Sequence, residues 1–266
     1  GNYVVTSFYW DNDAITDAGA VTFGNGSSGV SGVISETNSL VGSSDYDNLG
    51  FQGVTAFSNG NYVVTSSYWD NNSITDAGAV TFGDGTQGVI GVVSETNSLV
   101  GSSAYDHLGI DGVTSLSNGN YVVTSSSWDN GTAVDAGAVT IGDGDTGVIG
   151  RVSFYNSVTG MSGPAIIDDI LQDEINDNVL VVFQNEGKVW VFSQSTDLPA
   201  LAFDSLSDLA IYENAAEQSV SLTGISADYD EAVPLRVTAT SSNTDLIPDP
   251  LVTYTSPGST GSLTFT

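Results

Sequence analysis

The string GNYVVTS occurs at Gly1, Gly60 and Gly119, and DAGAVT at Asp17, Asp76 and Asp135, each recurrence 59 residues after the last. A period of that length means that one supersecondary unit is built again and again and buries its apolar faces on its neighbours. NSLVGSS at Asn38 and Asn97 weakens to NSVTGMS at Asn156, and in DNVLVVFQNEGKVWVF Asn178 falls 58 residues after Asn120 as a degenerate fourth copy. The copies lie at about 1–52, 53–111 and 112–169, with the degenerate one at 170–198, so a repeat domain spans 1–198.

Within a copy the pattern is of short strands between turns. In the second, GVTAF is followed by Asn59-Gly60, then NYVVTSSYW, AGAVTFG, Asp84-Gly85 and GVIGVVS. Val, Thr, Tyr and Phe fill the strands, and Asn-Gly or Asp-Gly between such runs predicts a type I′ hairpin turn. Asp143-Gly144 and Asn25-Gly26 repeat the second turn. These four runs predict four strands per unit in up-and-down order, the pattern of a propeller blade or a stacked β-array. AIIDDILQDEIND (Ala165–Asp177) has isoleucines that suit a short helix, but the repeat phase sets it where GVTSL stands in the third copy, which predicts a strand. From about Leu201 the composition shifts. Alternation at Val220, Leu222, Leu235, Val237, Leu263 and Phe265 predicts the first strands of an incomplete β-sandwich over 199–266, with Pro199 in the linker. The fold class is therefore all-β: four-stranded repeat units in part of a propeller or stacked array, then a partial sandwich.

Charge narrows the function. The 32 acidic residues face 3 basic ones, a net charge of −29, in a chain that is 40% apolar. Such a surface repels phosphate backbones and anionic membranes, which sets nucleic acid aside as a partner, and it attracts divalent cations. With no cysteine there is no disulfide, thiol nucleophile or thiolate metal site. No apolar run reaches the ~18 residues of a membrane span.

The stretches NGNYVVTSSYWDN, DAGAVTFGDG and NSLVGSS resemble a tandem repeat of large bacterial surface and secreted proteins of adhesin type. More distantly, LVGSSAYDHLG leading to GVTSLSNGNYVVTSSSW is similar to the order of elements in FG-GAP propeller blades of integrin type, without their Asp-rich calcium loop. AIYENAAEQSVSLTGISA and LRVTATSSNTDLIPDP resemble a cadherin-like or Ig-like module. The resemblance implies an extracellular or bacterial cell-surface location, a structural or adhesive role, and partners that are other copies of the chain or other surface proteins. The chain starts inside an Asn-Gly turn and stops within the sandwich pattern. The expectation is therefore a parent chain that continues, or strands donated by a neighbouring subunit.

Two candidate sites recur with the period. Asp11, Asp13 and Asp17 align with Asp70, Asn72 and Asp76, and then with Asp129, Gly131 and Asp135. Carboxylates with Asn and backbone carbonyls in a short loop are the hard ligands calcium prefers. Asp and Asn also cap their own backbone in any exposed turn, and a partner or glycan contact is the third reading. The fourth copy joins its strands through Asn185-Glu186-Gly187 and drops the loop, so the hairpin closes without it. Trp10, Trp69 and Trp128 precede the loop at one phase, either as buried anchors or as exposed rings for sugar stacking. Asp47 and Asp106 read as turn formers and His107 as a loop residue. A polysaccharide-acting enzyme is the weakest reading, because acids that recur in every copy do not make a single acid–base pair.

Overall fold

The computed structural model describes residues 1–173 and 178–193 and, beyond them, residues 209, 217–225, 237, 239, 241, 244, 246, 248–255 and 258–265. The chain divides into two compact units, Gly1–Thr196 and Asp197–Thr266. Apart from one 3-10 turn at Gln184–Glu186, the regular structure of the described residues is all β.

The first repeat forms β1 (Tyr3–Ser7), β2 (Ala20–Gly24) and β3 (Leu40–Val41). The second forms β4 (Gly53–Ala56), β5 (Tyr62–Ser66), β6 (Ala79–Gly83), β7 (Gly91–Val92) and β8 (Ser98–Val100). In the third these become β9 (Val113–Ser115), β10 (Tyr121–Ser125), β11 (Ala138–Gly142), β12 (Gly150–Arg151) and β13 (Ser157–Thr159). Each repeat is an antiparallel meander, β4-β5-β6-β8 in the second, and in the first two repeats the outer edge receives a parallel strand from the repeat that follows. Thus β7 pairs with β3, and β12 with β8.

Two local expectations are corrected. The fourth meander strand is Ser98–Val100, in NSLVGSS, whereas GVIGVVS supplies only the two-residue β7, which pairs with the preceding repeat. Glycines at positive φ, Gly88 (76°) and Gly91 (101°), keep that apolar run from being one strand. The Asn-Gly turn is not type I′. Of Asn59 and Gly60 only Gly60 has positive φ, the Gly60 amide donates to Phe57 O, and the Phe57 amide to Asn61 O. That is a three-residue loop with a left-handed glycine at its end. Asp84-Gly85 likewise opens a longer turn closed by the Gly88 amide on Asp84 O, with the Asp84 carboxylate capping the Thr86 and Gln87 amides. Gly85 is small for another reason: a Cβ there would overlap the Gly60 carbonyl.

Because side chains alternate along a strand, each sheet has two apolar faces, and the middle sheet buries both. Tyr62, Val64, Ala79 and Val100 share a core with Val21, Leu40 and Leu49 of the first repeat. Val63, Val80, Leu99 and Leu108 share another with Tyr121, Val123 and Ala138 of the third. The buried hydroxyls within each sheet pair off, Thr22 with Ser39, Thr81 with Ser98 and Thr140 with Ser157, at 2.7, 2.7 and 2.6 Å. No closed ring is formed among the described residues.

The degenerate copy forms an antiparallel sheet, β14 (Ile167–Asp173), β15 (Asn178–Phe183) and β16 (Lys188–Ser193). The ambiguous segment is thus a strand over Ile167–Asp173, and 174–177 lie outside the described residues. Phe183 is fully buried, and Gly137 and Gly160 of the third repeat lie against it.

In the second unit β17 (Gln218–Leu222), β18 (Leu251–Tyr254) and β19 (Gly261–Phe265) make one antiparallel sheet with β19 central, setting Val220 and Val252 either side of Leu263. Leu235 and the Pro199 linker lie outside the described residues, and no second sheet of a sandwich is present among the described residues.

Candidate functional site

The twelve residues between β5 and β6 hold the recurrent acidic loop. Ser66 and Trp69 turn the chain, and Asn71 and Ile74 then exchange two backbone hydrogen bonds of 2.9 and 3.0 Å, pinching off a two-residue tip. That tip demands a left-handed residue, occupied by Asp13 (φ 55°), Asn72 (58°) and Gly131 (62°) in the three copies. Asp, Asn and Gly are the residues that accept this backbone most readily, so the variation at the position follows φ rather than ligand chemistry. Asp17, Asp76 and Asp135 are left-handed too, at 49°, 50° and 51°.

The first acid of the loop is occupied by its own backbone. Asp11 accepts the Asp17 amide, Asp70 the Asp76 amide and Asp129 the Asp135 amide, all at 2.8 Å. Asp11, Asp70 and Asp129 therefore meet the backbone at Asp17, Asp76 and Asp135, while Asp13 and Asn72 stand at the exposed tip. Among the described residues no group of three or more His, Asp or Glu side chains comes together as a metal-holding set. Partial burial raises the Asp76 carboxyl above its ordinary value, and nearby His107 pulls the other way.

Trp69 and Trp128 are 2% and 5% exposed and sit in the two inter-repeat cores. Neither leaves a ring face on which a sugar could stack, which corrects the reading of these two as ligand contacts. Their indole N–H groups meet no acceptor among the described residues, and the rings are held by apolar packing. Trp10, in the first repeat, is only half-buried.

Residues outside the loop build the junction between repeats. Asp47 is fully buried: one oxygen accepts the Ser43 and Ser44 amides at 2.7 and 2.8 Å, the other the Asp70 amide of the next repeat at 2.8 Å. Asp106 repeats this with Ser102, Ser103 and Asp129 at 2.7, 2.8 and 2.9 Å. Burial pushes the Asp47 carboxyl up to about 6, against the three amide donors, and raises Asp106 in the same way. In the third repeat, where Ala165 stands at the aspartate's position, Glu186 of the fourth sheet takes the equivalent amides of Met161 and Ser162. Against its desolvation, the Lys188 ammonium at 2.9 Å and those amides hold Glu186 below the usual range. The turn reading of Asp47 was half of its role; the cross-repeat bond has no signature in spacing alone.

The rings that do reach the surface form a different row. Phe8 touches Tyr9 and Phe51 (centroids 4.6 and 5.4 Å), Phe51 touches Tyr68 (5.6 Å), and Tyr68 and Tyr105 both touch His107 (5.6 and 6.1 Å). Tyr9, Phe51 and Tyr105 are exposed. His107 also places Nδ1 3.2 Å from Ser67 O. Beside the third loop lies an open depression between Thr132–Asp135 and Met161–Pro164, in which Asp135 is the one ionisable side chain, short of the pair that acid–base hydrolysis uses.

No curated protein matches the chain. One family does, over residues 1–51, 56–110 and 115–165, together more than half of the chain and in phase with the three copies. On those three matches the chain belongs to the family described as a repeat of unknown function (DUF5650).

Proposed function

We propose that this is a non-enzymatic structural or adhesive protein of a bacterial cell surface or extracellular filament, in which the repeats form a stiff spacer. The observation that carries this reading is the middle repeat, which buries both sheet faces on its neighbours and bonds its edge to the next repeat, so consecutive units cannot pivot freely. The acidic composition supports a well-solvated surface. Among the described residues no helix is long and apolar enough to cross a membrane. The test is to label intact, unpermeabilised cells that make the protein with an antibody against it, and to image the native material by electron microscopy. Surface label on filaments or a lattice is expected; label seen only after permeabilisation would sink the proposal.

A second reading, glycan contact, is favoured by the exposed rings of Tyr9, Phe51 and Tyr105, joined through half-buried Tyr68, since exposed rings stack on the apolar faces of sugars. Loss of binding on a glycan array in the Tyr9→Ala/Phe51→Ala variant, with melting unchanged, would support it. An array on which the unaltered chain binds nothing would remove it.

A further inference from the structure

The junctions between the first and second repeats and between the second and third are made by the same four contacts, and the first repeat presents one half of that set unfilled. Tyr3 and Val5 are 43% and 46% exposed, whereas Tyr62 and Val64, at the same positions one period on, are 3% and 0% exposed under the first repeat. Gly88 and Gly147 lie directly against Phe23 and Phe82 of the repeats before them, where any Cβ would overlap the ring. The equivalent Gly29 has only the Tyr3 hydroxyl near it. Gly91–Val92 and Gly150–Arg151 pair with the edge strands Leu40–Val41 and Leu99–Val100, while Gly32–Val33 belongs to no strand and Val33 is 87% exposed. Gly32 nevertheless keeps the positive φ of Gly91 and Gly150 (121°, against 101° and 91°). Finally, the Asp70 and Asp129 amides each meet a buried carboxylate of the preceding repeat, and among the described residues the Asp11 amide meets none.

We propose that this open face is the docking surface for another repeat of the same family. The occupant is defined by its chemistry: an aromatic ring at the Phe23 or Phe82 position to fill the Gly29 cradle, a free Leu-Val edge strand for Gly32–Val33, and an aspartate at the Asp47 position for the Asp11 amide. The argument is continuity with two junctions of known geometry, because the open half matches both at Tyr3, Val5, Asp11, Gly29 and Gly32, and the first of them at Val33 as well. A second copy of the chain meeting it face to face does not satisfy the set. Two such faces would bring two empty glycine cradles together and no ring to fill either. The inference concerns a surface and holds whatever the location of the protein.

The experiment places residues 60–118 directly ahead of Gly1, which continues the 59-residue period and leaves the peptide carrying Tyr3 and Val5 distinguishable by its Phe8. Hydroxyl-radical footprinting then reads those two side chains. In the 266-residue chain they are expected to be oxidised far faster than Tyr62 and Val64; in the extended chain they fall to the same level as that pair. Tyr3 and Val5 remaining as reactive as before overturns the proposal, and so does an added repeat that stays unfolded on the open face. Val5→Asp supplies the control: the 266-residue chain carrying it folds and melts as the parent does, while the extended chain loses the protection of Tyr3. Protection of Tyr3 that persists in that variant counts against docking. Protection that grows with concentration of the unextended chain would show that copies, and not a family repeat, occupy the face.

Discussion

Val5 and Val64 stand at the same place in the same heptapeptide, and one is half exposed while the other has no contact with solvent. The β1–β2 and β5–β6 hairpins of the first and second repeats share register and loop hydrogen bonds, with Tyr3 opposite Gly24 as Tyr62 is opposite Gly83. What differs is what lies beside them: β5 also pairs with β4, and its sheet packs on the first repeat. The local fold of a repeat is set within its own 59 residues, whereas the burial that stabilises it is set by the sheet lying against it, which is the nearest-neighbour behaviour expected of such arrays.

Matched substitutions in the two repeats sharpen that contrast. The largest difference is expected at tryptophan: Trp69→Ala should cost about 3–5 kcal/mol of unfolding free energy, and Trp10→Ala roughly half as much because part of that ring is already in water. Equal losses in chemical denaturation would break the comparison. Asp47→Ala should cost about 3 kcal/mol by leaving the buried Ser43, Ser44 and Asp70 amides without an acceptor. Amide hydrogen exchange should accelerate on both sides of the junction, and acceleration confined to the first repeat would argue against a cross-repeat tie. Val64→Ala is expected to cost about 2 kcal/mol, and Val5→Ala no more than about 0.5 kcal/mol.

A smaller effect concerns pH. The folded Asp47 carboxyl titrates near 6, above its unfolded value of 3.8, so the folded state holds a proton that the unfolded state has released. Its contribution is complete below pH 3.8 and is lost as pH rises through 6, with Asp106 acting in the same direction. Asp84, Glu95 and Glu186 are held low by their partners and act in the opposite sense, losing their contribution as pH falls into the acid range. The melting temperature of the parent should therefore decline between pH 4.5 and 6.5 more steeply than that of Asp47→Asn; identical slopes would remove the buried carboxylate from the explanation. The smallest effect expected is with chelator, which should leave melting unchanged because Asp11, Asp70 and Asp129 already bond their own loop amides. A chelator-induced drop would restore calcium as a stabilising ligand.

Much of the β architecture was legible because a period of 59 and strands of alternating character are local properties. YVVTS and AVTFG carry β-branched residues in register, and the loop could be called an addition to the hairpin because the fourth copy lacks it. The errors fall where a residue answers to something distant. GVIGVVS is as apolar as a meander strand, yet its glycines turn it out to the preceding sheet, and nothing local marks that partner. Trp69 is amphipathic enough for a rim or a core, and its burial depends on the first repeat covering it. The double serine ahead of Asp47 was the available sign of amides in need of an acceptor, but the third amide comes from the next repeat. Glu186 shows why spacing does not find such a role: it does the same work for the third repeat from a different element altogether.

The short parallel strand that each repeat sends backwards gives the array a direction. A contact in which one unit offers an edge and a ring, and the other a two-residue strand and a glycine hollow, joins unlike surfaces, so it is heterologous rather than self-complementary. Such a contact has no two-fold axis, and repeating it generates a progression instead of a pair. Length is then a free variable, because each added unit meets the same geometry as the last. The near-identity of the hollows carries a hazard: a ring such as Phe23 or Phe82 fits the cradle of any neighbour, including one on another chain. Crowded folding of such repeats should therefore err by exchange between molecules sooner than by loss of the strands themselves.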